Sequence, residues 1–272
     1  MHPIIRNALI GGGSGGGGGP SFYPTSLFSS GEKGLFYDFS DMASLFQDVA
    51  GTTPITASAQ LGARINDKSG NGNYATQSNV ALRPQFLQAG GLSYMSLDGV
   101  DDEWATSAAM ALGGADIVTV CAGVRKLNDS AGSICESAPS ISISTGSIIL
   151  FSGTGGLGTG YTSIARGDAA YSSSQGAFSS ASGDDTSVLY STHSISGDLS
   201  TLRKNGIAGA SGVVDKGSGS FADLILYIGG RGSGSIQFYG YIYSLLIIAR
   251  SLTTIERSQL EAWTAVKSGV TL

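Results

Sequence analysis

Phe238-Tyr-Gly-Tyr-Ile-Tyr-Ser-Leu-Leu-Ile-Ile-Ala-Arg250 decides the class of this fold. It is a long run of aromatic and β-branched residues, the composition of a strand packed on a pleated surface. Two acidic, glycine-bearing stretches precede it: Asp67-Lys-Ser-Gly-Asn-Gly-Asn73 and Leu97-Asp-Gly-Val-Asp-Asp102. Asp and Asn bond their own backbone, and glycine tolerates φ > 0, so each stretch specifies a tight turn. Further strand candidates are Leu35–Phe39 and residues 82–87, 92–97, 116–125, 132–136, 140–151, 186–196, 199–204, 222–229 and 236–249, separated by Gly, Ser, Asn and Asp clusters. Asp116–Arg125 is small and apolar on both faces, which suits a central strand. Asn205-Gly206 is the strongest hairpin signal. Many strands with short turns, not alternating with helices, imply an all-β antiparallel sandwich or barrel.

Two segments depart from that pattern. Residues 41–49 predict a short helical turn capped by Ser40 or Asp41, with Leu45, Phe46 and Val49 inward. Thr253-Thr-Ile-Glu256 is a capping box that opens a C-terminal amphipathic helix. Ile255, Leu260, Trp263 and Val266 share one face, Gly269 is the stop, and the helix is expected to pack back on the sandwich. Residues 153–185, rich in Gly, Ser, Ala and Asp, read as long surface loops.

Composition bounds the function. Of 272 residues, 42 are Gly and only 13% are charged, against 41% hydrophobic, which excludes a disordered chain. The net charge of −5 and the lack of a basic stripe give no electrostatic reason to bind nucleic acid. No apolar run reaches bilayer-spanning length, so membrane insertion is not expected. Cys121 and Cys135 lack metal-ligand spacing; they are equidistant from Asn128, so a simple hairpin centred there would place them opposite one another. Residues 11–19 are glycines interrupted by Ser14. Fixing such a backbone is entropically costly, so residues 1–33 read as a docking arm with Ile4, Ile5, Leu9 and Ile10 as its apolar grip. The sandwich then covers 34–251 and the helix 252–272.

Phe36–Gln47, Thr52-Thr-Pro54, Asp67–Ala75 with Arg83-Pro84, Leu97–Asp102, Leu226-Tyr-Ile-Gly-Gly230, Phe238–Arg250 and the Leu252–Leu272 segment occur in an order and spacing that carries a resemblance. Over roughly residues 34–272 the chain resembles the concanavalin A-like, laminin-G-like jelly rolls of tailed-bacteriophage structural proteins. The resemblance implies a jelly-roll β-sandwich in a virion, as tail fibre, tail tip or capsid decoration. It also implies assembly in reducing host cytoplasm, where Cys121 and Cys135 are expected as free thiols acting as small apolar residues. Relatives of this fold bind glycans, often with calcium and the loops at one rim.

The chemical motifs are weighed against that background. Glycoside hydrolysis needs two carboxyls flanking the scissile bond. Glu32, Glu103, Glu136, Glu256 and Glu261 do not form the Glu-x-Asp-x-x-Glu pattern of sandwich glucanases. Asp67, Asn71, Asp98, Asp101 and Asp102, with Asn73, are hard oxygen donors for calcium; the alternative is that they cap their own turns. No other cofactor is indicated. His193 lacks a Gly-x-Ser-x-Gly nucleophile and is expected to be packed or at a rim. The Gly229–Gly234 stretch lacks the Lys-Ser/Thr of a phosphate loop and reads as a turn. Trp104, Tyr161, Tyr171 and Phe178 are candidates to stack on a sugar ring, unless they are ordinary packing residues.

The expectation is therefore a non-enzymatic virion component, tail-associated, that binds and does not cleave. It assembles with other virion proteins and with copies of itself through its N-terminal arm. Capsid decoration, and a glycan-binding module that recognises the host surface, are the alternatives.

Overall fold

The computed structural model describes residues 22–153, 159–169, 176–180, 182–232 and 234–272. Ile4, Ile5, Leu9, Ile10 and Tyr171 lie outside these residues. The first strands are β1 (Gly34–Asp38), β2 (Leu45–Phe46), β3 (Arg64–Ile65), β4 (Ala75–Thr76), β5 (Gln85–Ala89) and β6 (Leu92–Asp98). Then come β7 (Trp104–Thr106), β8 (Ile117–Lys126), β9 (Gly132–Glu136), β10 (Ser147–Ser152), β11 (Tyr161–Arg166) and β12 (Gly176–Phe178). The last are β13 (Asp185–Ser194), β14 (Leu199–Ser200), β15 (Arg203–Lys204), β16 (Ile207–Ala208), β17 (Tyr227–Ile228) and β18 (Tyr239–Ile248), followed by helix α1 (Thr254–Ser268).

Two antiparallel sheets result. In one the order is β16-β15-β13-β8-β18-β6-β5, with β1 also on β18 and β14 on β13. In the other it is β12-β11-β10-β9-β17-β7-β4-β3-β2. The described residues are thus mostly β, with one α-helix at the C-terminal end. The strand whose composition is small and apolar is central: β8 is hydrogen-bonded on both sides, by β13 and β18. The main core, which includes Tyr37, Trp104, Val120, Leu150, Leu189 and Leu245, lies between the sheets. A second cluster, with Phe36, Cys121, Tyr190, Leu246 and Leu260, lies between the first sheet and α1, and takes in Leu27 and Phe28. Residues 22–28 thus pack on the sandwich, where Tyr23 and Phe36 meet Trp263 edge-on with ring centroids 5.7 and 5.3 Å away. No helix among the described residues is long and apolar enough to cross a membrane.

Four local expectations need correction. Cys121 and Cys135 do not face each other: β8 and β9 enter different sheets, and the two thiols are buried, unbridged, in different clusters. Residues 153–185 are not all loop, because they supply β11 and β12. The apolar pattern of β11 is broken because its single serine, Ser163, points inward to polar partners. Residues 140–146 precede β10 and lie outside it. The buried face of α1 is Leu260, Glu261, Thr264, Ala265 and Ser268, while Ile255 and Val266 are more than 70% exposed. A close approach explains the rotation: a Cβ on Gly123 would sit 3.0 Å from Thr264 Cγ2 and 3.4 Å from Ser268 Cβ. Small residues let the helix backbone settle on β8, and bulky Ile255 or Val266 would hold it off.

Candidate functional site

The two acidic turns behave differently. Asp67 is consumed by its own turn. Its carboxylate accepts from the Phe36, Ser69 and Asn73 amides and from Ser69 Oγ, all at 2.8–2.9 Å. Asn71 and Asn73 donate side-chain N–H groups to Gly34 O at 3.0 and 2.8 Å. This turn pins the start of β1. In the second turn Asp98, Asp101 and Asp102 bring carboxylate oxygens within 4.8 Å of one another. Asp98 Oδ1 accepts from Val100 N at 2.8 Å and Asp102 Oδ2 from Asp98 N at 3.0 Å. Burial, and then the charges of Asp98 and Asp101, raise the Asp102 pKa to about 6 against the opposing Asp98 amide. Three of the five calcium candidates therefore gather, and Asp67 and Asn71 stand in the other turn. Calcium takes six to eight oxygens, more than these three side chains supply unless the carboxylates bind bidentately.

His193 is fully buried between the sheets. Its Nε2 lies 2.8 Å from Ser163 Oγ on the opposite sheet, and its Nδ1 lies 2.9 Å from Ser200 Oγ. Ser163 Oγ also donates to Ser191 Oγ at 3.0 Å. Desolvation, followed by the Lys216 charge, lowers the His193 pKa to about 3, so the ring is neutral. This is a sealed polar bridge, with no member more than 1% exposed.

The strand that carries the bridge also carries an accessible site. Successive side chains alternate between faces, so Ser191 and His193 point to the core while Tyr190 and Thr192 point to the side that holds α1. There a cleft of about 310 Å³ is lined by Tyr190, Thr192, Thr201, Arg203, Ser211 and Arg257, among others. Thr192 Oγ1 donates to the Tyr190 hydroxyl at 3.3 Å, and burial holds the phenol above its usual pKa, so it is a neutral donor. Arg203 Nε binds Glu261 at 2.8 Å. Arg257 Nε is shielded from water and has no hydrogen-bond partner.

A second, more open cleft of about 360 Å³ adjoins the first. Phe178, Ala177, Ser179 and Ala210 line it, and Ala208 and Gly209 line both clefts. The Asn205-Gly206 hairpin builds the divide. Both residues have positive φ, 50° and 77°, as the two-residue turn between β15 and β16 requires. Beyond it Ala210 bridges to Ala177 of the other sheet and Gly212 to Ser200 of the first, so this segment ties the sheet edges together.

Of the aromatic candidates, Trp104 and Tyr161 are buried core residues and Phe178 lines a cleft. The polar lining was missed. Its signal was the alternation of Tyr190 and Thr192 against Ser191 and His193. In the Gly-rich stretch, Arg231 bridges to Ser235 and Gly234 N donates to Arg231 O at 2.7 Å, so the chain turns there. The glutamates are mostly engaged. Glu136 is fully buried and binds Arg231 Nε at 2.7 Å, Glu261 holds Arg203, and Glu256 holds Arg250. The Glu103 Oε2 atom has no partner, and burial raises its pKa.

No family model matches this sequence, and no curated protein matches it. Solved structures do match in fold. An arabinofuranosidase complexed with arabinofuranosyl-α-1,2-xylobiose superposes with a TM-score of 0.59 at 13% identity, over 91% of this chain and 65% of its own. The chain thus spans under two thirds of that enzyme. Domain 4 of AbnA, an extracellular GH43 arabinanase from Geobacillus stearothermophilus in complex with arabinotriose, matches with a TM-score of 0.52 at 14% identity, over 86% of this chain and all of that domain. A botulinum neurotoxin type C, whose cell entry depends on two ganglioside molecules, matches with a TM-score of 0.56 at 11% identity, over 86% of this chain and 51% of its own. The chain shares its β-sandwich with carbohydrate-binding and carbohydrate-hydrolysing proteins. That corrects one expectation. A fold found in an arabinofuranosidase does not license the exclusion of catalysis from a missing sequence pattern, and the reading of this chain as no enzyme falls.

Proposed function

We propose that this chain is a carbohydrate-recognising β-sandwich whose sugar site is the pair of clefts on either side of Ala208-Gly209. The observation that carries this is their complementary chemistry at one place. Phe178 lines an open cleft with an aromatic side chain, and the hydroxyl-bearing Tyr190, Thr192, Thr201 and Ser211 stand with two arginines next door. A pyranose or furanose ring has an apolar face and a rim of hydroxyls, so it needs both surfaces. The shared fold with proteins described in complex with arabinose-containing oligosaccharides, or dependent on gangliosides, supports the same reading. A glycan array probed with the native protein and Phe178→Ala tests it. Retention of at least one glycan, weakened roughly tenfold or more by the substitution, supports the site.

The finer placement is part of the same proposal. The order of motifs across residues 34–272 supports a jelly-roll domain of a tailed-phage virion, tail-associated or on the capsid. There it joins other virion proteins and copies of itself through the segment before residue 22, and presents the clefts to the host surface. Mass spectrometry of purified particles, and of particles grown with a chain lacking residues 1–20, tests that placement. Absence of the native chain from particles, or normal incorporation of the truncated one, contradicts it.

A further inference from the structure

We propose that the cleft containing Arg257 takes the carboxylate of an acidic sugar, so that the glycan recognised carries a uronic or similar acid unit. This rests on the carbohydrate reading of the paired clefts. Two arginines line the cleft, and their charges are not equivalent. Arg203 is neutralised: Nε binds Glu261 at 2.8 Å, and an Nη donates to Gly206 O. Arg257 is in no ion pair among the described residues, and its Nε has no hydrogen-bond partner although it is shielded from water. Glu256, its neighbour in sequence, is already held by Arg250 at 2.8 Å. The cleft therefore keeps one uncompensated positive charge in a chain of net charge −5. Arg257 lines the cleft, and a guanidinium not already held by a carboxylate matches one, which it grips with paired hydrogen bonds. The Tyr190 hydroxyl is a neutral donor on the same wall, and Thr192 already donates to it. The rest of the sugar ring needs only neutral hydroxyl partners; Ser211 lines the same cleft, and the Thr201 hydroxyl, whose proton goes to Thr192 O, is left as an acceptor.

NMR titration of isotope-labelled native protein decides the matter, with methyl β-D-glucuronoside, methyl β-D-glucoside and sodium acetate as probes. The glucuronoside is expected to bind at least tenfold more tightly than the glucoside and to shift the Arg257 Nε–H resonance. Acetate at equal concentration is expected to leave that resonance in place. Arg257→Gln should abolish the preference for the glucuronoside over the glucoside, with Arg257→Lys in between. Equal affinities for the two glycosides, a preference that survives Arg257→Gln, or an acetate shift equal to that of the glucuronoside overturns the inference. In that event, glucoside or array glycans that still bind at Phe178 leave the carbohydrate reading standing. Loss of all sugar binding overturns both.

Discussion

Ser163 Oγ and His193 Nε2, 2.8 Å apart, join the two sheets across the middle of the sandwich. The site favours the neutral imidazole, because burial, and then the Lys216 charge, oppose a cation there. The folded His193 pKa of about 3 lies below the ordinary value of 6.5. Its contribution to stability is therefore complete above pH 6.5 and is lost as pH falls toward 3. The loss from this group is about 1.4 kcal/mol per pH unit. Chemical denaturation from pH 7 to 4 should show that slope, and His193→Gln should lose it. An unchanged slope in the variant would assign the acid sensitivity elsewhere.

Asp102 works in the opposite sense. Its folded pKa of about 6 is raised above the ordinary 3.8, so its favourable contribution is present below that value and lost as pH rises through 6. Asp102→Asn keeps an oxygen for the Asp98 amide and removes a charge crowded by Asp98 and Asp101. The side chain is half-exposed, so solvent screening leaves a gain of about 1 kcal/mol at pH 8. Little gain is expected at pH 4. Equilibrium unfolding at the two pH values checks this.

Gly34 has φ of +137°, and a Cβ there would lie 2.0 Å from Ile247 O across the β1–β18 pair. Gly34→Ala should cost about 2–4 kcal/mol, because strain and overpacking add. Gly70, also at positive φ, meets nothing within 4 Å, and its alanine variant should cost only about 1 kcal/mol. Comparable losses at both sites would remove the close approach as the cause.

The capping box of α1 is complete. Thr253 Oγ1 accepts from Glu256 N, and Glu256 Oε2 accepts in turn from Thr253 N at 2.8 Å. Thr253→Ala should cost about 1 kcal/mol, read from the urea midpoint.

How far the sequence could be read depended on what each residue had to signal. Asn205-Gly206 and the Thr253–Glu256 box announce themselves because their chemistry is local. The central strands are legible because burial on both faces leaves an apolar run. The β11 strand was hidden because its inward Ser163 is satisfied by His193, a residue distant in sequence. The helix face was misread because apolar periodicity says nothing of how near a neighbouring backbone comes, and here Gly123 invites Thr264 and Ser268. Phe178 was named from its loop-rich context, and it does line a cleft. Its polar neighbours were not, because Tyr190, Thr201 and Arg257 come together only through the pairing of β13 to β15 and the seat of α1. The Asp98–Asp102 turn gathers its carboxylates locally, whereas the separation of Asp67 and Asn71 from it is a fact of tertiary structure.

The most direct measurement is a glycan array probed in parallel with the native protein, Phe178→Ala, and Asp102→Asn as a substitution away from the clefts. The account predicts saturable binding of at least one glycan by the native chain, loss of it in Phe178→Ala, and native behaviour in Asp102→Asn. Binding that survives Phe178→Ala undiminished, or no glycan retained by the folded native chain, would contradict it.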